Sequence, residues 1–120
     1  MEKKILIVED NPDSRDLLAM MLKHEGYAVY TAEDGREGLK LVKMDCPDLI
    51  ITDINMPNVD GIEMVRILRD RPECGKLPII VMSAYGSGTL RKAVSAGADE
   101  VVPKPLAFDP FLKAIERLLE

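Results

Sequence analysis

Lys4-Ile5-Leu6-Ile7-Val8-Glu9-Asp10-Asn11-Pro12 is the stretch that decides the fold. Its unbroken apolar run, Ile5 to Val8, suits a strand covered on both faces, the habit of a central strand in a parallel sheet. Two acids follow at once. Asn11 and Pro12 then supply an N-cap and a first helical residue, so a strand, an acidic pair and a helix start succeed one another without a linker.

Working outward, the helix that opens at Pro12 carries Leu17, Leu18, Met21 and Leu22 at helical spacing and stops at Gly26. The same alternation then recurs along the chain. Strands are expected at Lys4–Val8, Ala28–Thr31, Leu49–Thr52, Ile79–Met82 and Val101–Val102. Further helices are expected at about Asp34–Met44, Gly61–Arg71 and Gly88–Ala96, the last stopped by Gly97. The final helix is predicted with Asp109 as cap, Pro110 as first residue, and Phe111, Leu112, Ile115, Leu118 and Leu119 as its apolar stripe. Parallel strands joined through helices require right-handed crossovers, which gives an open, doubly wound α/β sheet sandwiched between helices.

Composition agrees with one compact domain over residues 1–120. The chain has 120 residues, 47% of them hydrophobic but only 4% aromatic, which points to a core of Ile, Leu, Val, Met and Ala. Met20, Met21, Met44, Met64 and Met82 read as core filler. A net charge of −5, with Lys and Arg scattered among acids, argues against direct nucleic-acid binding. The apolar run after Met1-Glu2-Lys3-Lys4 is too short for a signal peptide or a membrane span, so a cytoplasmic protein is expected. Cys46 and Cys74 have no metal-ligand spacing and read as free thiols.

Ligands of an open α/β sheet bind beyond the carboxyl ends of its strands. Glu9 and Asp10 follow the first apolar run, Asp53 the third, Ser83 the fourth and Lys104 the fifth. Three carboxylates at one rim repel one another unless a cation intervenes. Mg²⁺ suits such a site because it takes oxygen ligands and is commonly held by one or two carboxylates plus phosphate oxygens. Lys104 and Ser83 add donors able to grip a phosphoryl oxygen. A dication, a carboxylate and two donors together point to phosphoryl transfer onto Asp53, giving an acyl phosphate.

These residues resemble a response regulator receiver domain, the CheY-like module of two-component signal transduction, over essentially the whole chain. Ile5 to Asn11 resembles the family's first strand and acidic pair, and Asp53-Ile54-Asn55-Met56-Pro57 with Asp60-Gly61 its phosphoacceptor loop. Ser83-Ala84 resembles its switch hydroxyl, and Lys104-Pro105 the end of its fifth strand. The resemblance implies a flavodoxin-like, three-layer α/β/α fold with five helices and a five-stranded parallel sheet in the order 2-1-3-4-5. It also implies that Asp53 is the phosphoacceptor and that Lys104 and Ser83 assist. Asp10, Asp53 and the main-chain carbonyl of Asn55 would bind Mg²⁺, with Glu9 acting directly or through water. The Lys104-Pro105 bond would be cis. Two positions depart from the pattern: Val101 stands where an aromatic switch residue is usual, and Leu106 where Phe is frequent. Tyr85 could offer another ring near the site, or could equally be a solvent-facing loop residue.

The resemblance further implies a switch that catalyses only its own phosphorylation and dephosphorylation. A sensor histidine kinase or histidine phosphotransfer protein would dock beside the first helix. The fourth helix, fifth strand and fifth helix, with Arg91, Lys92, Lys113 and Arg117, would then address a downstream partner or a fused output domain, as a monomer or a phosphorylation-dependent dimer. The chain ends directly after the last apolar stripe, which fits a stand-alone regulator or the receiver of a longer protein. Competing readings are weaker. Glu9-Asp10 could merely cap the first helix, Ser83 sit in a turn and Lys104 be a solvated charge. Asp60-Gly61 reads as a turn and helix start with Asp as a local cap. An aspartyl-phosphate hydrolase would want an acid at position 55, where Asn cannot deliver a proton, and a flavin site would want a phosphate-cradling loop in place of Glu9-Asp10. An unphosphorylated pseudo-receiver would not need the full acidic cluster.

Overall fold

The computed structural model describes residues 2–56, 58–84 and 87–120. Strands β1 (Lys4–Val8), β2 (Ala28–Ala32), β3 (Leu49–Asp53), β4 (Ile79–Ser83) and β5 (Glu100–Pro103) form one parallel sheet in the order β2-β1-β3-β4-β5. Helices α1 (Pro12–His24), α2 (Gly35–Met44), α3 (Gly61–Asp70), α4 (Ser87–Ala96) and α5 (Phe108–Leu118) alternate with them. This is the flavodoxin-like order that the resemblance implies, and the reason lies in the strands. Successive side chains of a strand point to opposite faces. Accordingly Leu6, Val8, Ile50 and Val81 pack on one side with Met64, Val65 and Leu68 of α3 and Ala93 of α4. Ile5, Ile7, Ile51 and Ile80 pack on the other with Leu18 and Leu22 of α1 and Phe111 and Ile115 of α5. Both faces of β1, β3 and β4 are dry, so their apolar runs are unbroken.

Helix entries follow local chemistry. The side chain of Asn11 accepts from the Ser14 amide at 3.0 Å, that of Asp34 from Glu37 at 2.8 Å, and that of Asp60 from Glu63 at 2.8 Å. Asn11, not Glu9 or Asp10, thus caps α1, while Asp60 is the local cap its position suggests. Gly26 ends α1 with a φ of 97°, a left-handed backbone that glycine adopts freely.

Three expectations are corrected. The last helix begins at Phe108 after Ala107, without a side-chain cap, and Asp109 and Pro110 lie inside its first turn. First-turn amides have no partner within a helix, so proline costs nothing there, and an acid is favoured beside the positive end of the dipole. Leu17 is exposed, because the face that α1 buries is narrower and runs through Leu18, Ala19 and Leu22. Met64 and Met82 are core residues, whereas Met20 and Met44 lie in solvent.

Candidate functional site

All of the rim chemistry sits at the carboxyl edge of the sheet. β1 and β3 are neighbours, with Val8 opposite Thr52, so the residues that follow them, Glu9 and Asp53, emerge side by side. β4 and β5 pair beyond them, and the Lys104 amide donates to the Ser83 carbonyl at 2.8 Å. Carboxylate oxygens of Glu9, Asp10 and Asp53 lie within 4.8 Å of one another. Lys104 Nζ reaches across to Asp53 Oδ2 at 2.8 Å and to Glu9 Oε1 at 3.4 Å. Asp53 Oδ1 accepts from the Ile54 amide at 2.8 Å, so both acceptor oxygens of this carboxylate are aimed.

Three acids thus crowd together with one ammonium that reaches two of them, and the surplus shows in Glu9. Its side chain is 3% exposed, and its Oε2 is buried with no hydrogen-bond partner. Burial first, and Asp53 second, push its carboxyl up to about 7 against the pull of Lys104. For Lys104, burial works against the charge, but Asp53 and then Glu9 outweigh it and the ammonium is held above its ordinary range. Asp10 is exposed, as is Asn55 two residues beyond Asp53, and Ser83 is buried at the end of β4.

A hard dication fits this donor set. The carboxylates are all oxygen ligands, no thiol or imidazole stands among them, and the orphaned Glu9 oxygen is a buried acceptor that a cation or its water would satisfy.

Two supporting residues are not evident from spacing. Gly61 brings the start of α3 so close that a Cβ there would lie 2.1 Å from the Asp53 carbonyl oxygen, and its amide donates to the Ile54 carbonyl at 2.8 Å. A glycine after Asp60 signals a turn; only the packing reveals that it holds the Asp53 loop. Arg15, one turn into α1, donates from Nη1 to the Glu9 carbonyl at 3.0 Å and tethers the acidic pair. No local motif announces that bond.

The two departures are placed as well. Val101 is half-buried against the α3–α4 side of the core, and Leu106 packs toward α5. Pro57 and Tyr85 lie outside the described residues, so the reading of Tyr85 as an alternative ring is not placed. The Lys104-Pro105 bond is cis, as the resemblance implies. Beside the acids, between α1 and the β5–α5 loop, opens a cavity of about 360 Å³ whose walls include Leu17, Leu18, Met21, Lys104, Leu106 and Phe108.

An open α/β sheet with an acid triad and a lysine at its carboxyl rim defines a class of phosphoryl-accepting switches. The chain belongs to the response regulator receiver domain family, whose match spans residues 5–116. It is 41% identical over 120 residues to the response regulator MprA of Mycolicibacterium vanbaalenii, covering 99% of this chain and 51% of that protein. The chain therefore spans about half the length of the curated relatives it matches. In structure it is similar to the chemotaxis response regulator CheY4 of Vibrio cholerae, with a TM-score of 0.92, 32% identity, and coverage of 99% and 100% of the two chains. It is similar too to the receiver domain of a sensor histidine kinase from Pseudomonas aeruginosa PAO1, at a TM-score of 0.92, 27% identity and coverage of 99% and 98%. That receiver has a magnesium ion coordinated in its active-site cleft. Among the described residues no helix is long and apolar enough to cross a membrane.

Proposed function

We propose that residues 1–120 form one receiver domain in which Asp53 accepts a phosphoryl group from a phosphohistidine, and that this charge switches a partner-binding face. One observation carries the reading: Asp53 shares a 4.8 Å cluster with Glu9 and Asp10 while Lys104 Nζ lies 2.8 Å from its Oδ2. In the transfer, an Asp53 oxygen bonds to phosphorus as the phosphorus–nitrogen bond breaks, and the electron pair returns to the imidazole. Lys104 and the Ile54 amide hold the carboxylate in place beforehand. Glu9, Asp10, Asp53 and the Asn55 carbonyl would hold Mg²⁺, which neutralises the acids and the incoming phosphoryl oxygens. Lys104 and the Ser83 hydroxyl then turn toward the new acceptors, which carry nearly two extra negative charges. Because the Lys104 amide bonds the Ser83 carbonyl, the ends of β4 and β5 move together. That movement biases the face of α4, β5 and α5, where Arg117 already pairs with Glu100.

The donor is a sensor histidine kinase or a histidine phosphotransfer protein, docking along α1 over the cavity that adjoins Glu9 and Lys104. The target is a separate protein or a fused output domain; relatives about twice as long favour the latter for the whole protein. The domain works in the cytoplasm, as a monomer or a phosphorylation-dependent dimer, and acts on no substrate beyond its own acyl phosphate.

Incubation with acetyl phosphate and Mg²⁺, read by intact mass, tests the reading. One added phosphoryl group that requires both Mg²⁺ and Asp53 is expected. A folded chain that takes up none would be a pseudo-receiver used as an interaction module.

A further inference from the structure

The cavity between α1 and the β5–α5 loop opens off the acid cluster, and its two parts differ in polarity. Glu9 and Lys104 line the part shared with the phosphoryl-accepting site, where Lys104 Nζ also holds Asp53 Oδ2 at 2.8 Å. Ser14 apart, the other lining side chains are apolar: Leu17, Leu18 and Met21 come from α1, and Leu106 and Phe108 from the loop before α5 and its first residue. Leu17 lines the cavity yet keeps 54% of its surface in water. An apolar side chain left uncovered there gains from an apolar group placed against it.

Size and lining together restrict what fits. A cavity of about 360 Å³ lies at the small end of the ~300–1,000 Å³ typical of ligand pockets. A nucleotide or a sugar would bring hydroxyl and base groups that these walls cannot hydrogen-bond, and burying such groups unpaired is costly. An aromatic ring or a short branched chain asks only for contact, and the flexible Met21 side chain adapts to its outline. A phosphoryl group is drawn to the opposite end, toward the Lys104 ammonium.

We infer that this cavity binds the apolar acyl group, aromatic or branched, of a small acyl phosphate that serves Asp53 as a phosphoryl donor, as an alternative to a protein donor. The inference rests on the reading of Asp53 as the phosphoacceptor. In the step, an Asp53 oxygen bonds to phosphorus, the bond from phosphorus to the bridging acyl oxygen breaks, and the electron pair leaves on the departing carboxylate. No proton and no further reactant is needed. Contact made by the acyl group, remote from the reacting atoms, holds the donor in place for attack. Acetyl phosphate, with a single methyl, fills little of the cavity.

The test incubates the whole chain and Mg²⁺ with benzoyl phosphate or with acetyl phosphate, each well below saturation, and reads initial phosphoryl uptake by intact mass. The donors differ in intrinsic reactivity, so the quantity compared between chains is the ratio of their two rates. Leu106→Phe, which narrows the cavity, and Leu17→Ser, which makes its rim polar, should both lower the benzoyl-to-acetyl ratio, the first by about tenfold. A general loss of activity or of folded protein cancels in that ratio. The same ratio in the native chain and both variants overturns the acyl site and leaves the receiver chemistry standing. A folded native chain that takes up no phosphoryl group from acetyl phosphate overturns the reading of Asp53 and the acyl site with it.

Discussion

The two edges of the sheet handle charge in opposite ways. At the amino edge Arg69, Asp99, Lys4 and Asp45 each meet a partner. Arg69 donates to the carbonyls of Gly97, Leu77, Cys74 and Gly75 and to Asp99, and the same Asp99 oxygen accepts from the Ile79 amide at 2.8 Å. Lys4 pairs with Asp45. At the carboxyl edge, three acids cluster, Lys104 reaches two of them, and a buried Glu9 oxygen has no partner. Paired charges at one edge hold the fold, whereas surplus negative charge at the other is the arrangement a cation fits.

The contrast breaks most completely at Asp53. Asp53→Asn should abolish phosphoryl uptake from acetyl phosphate by intact mass, while leaving the thermal midpoint nearly in place, because the amide keeps the size of the carboxylate. Next in size is a pH effect in metal-free protein. The folded Glu9 carboxyl sits at about 7 against an ordinary 4.5, so between those values the native state keeps a proton that the unfolded chain has lost. Stability should therefore be fullest below about pH 4.5 and decline as pH rises through about 7, by on the order of 3 kcal/mol. Urea titrations at several pH values would show it. Glu9→Gln should flatten the curve, and Mg²⁺ should raise the midpoint of the native chain more than that of the variant.

Arg69→Ala attacks the other edge and should cost about 2 kcal/mol, since several carbonyls lose their donor, while the lost pair with exposed Asp99 counts for little. Below its unfolding temperature this variant should still take up one phosphoryl group, which separates the two edges functionally. Smallest is Lys4→Ala: its ion pair with Asp45 is open to solvent, and the urea midpoint should not move measurably. A large loss there would mean that the amino edge is less redundant than its bonds suggest.

Much of the site is legible because each of its groups ends a strand or follows one within two residues. Glu9, Asp10, Asp53, Ser83 and Lys104 each stand at the carboxyl end of an apolar run, and one rule about open sheets brings them to the same rim. Gly61 and Arg15 escape that logic. Their roles depend on how closely the start of α3 approaches Asp53 and on which carbonyl a long side chain reaches, distances that no spacing encodes. The α5 start went astray for a local reason, since Asp and Pro are tolerated throughout a first turn and do not mark its first residue.

The sequence by itself determined the alternation of strands and helices, the parallel sheet and the chemical cast of the rim, because burial on both faces writes an unbroken apolar run and capping is settled within a few residues. Tertiary structure alone decided that Glu9 is buried with an orphaned oxygen, that Lys104 spans Asp53 and Glu9, and that Leu17, Met20 and Met44 face water. Those facts are set by the approach of segments distant along the chain, where desolvation and charge act through space and not through sequence.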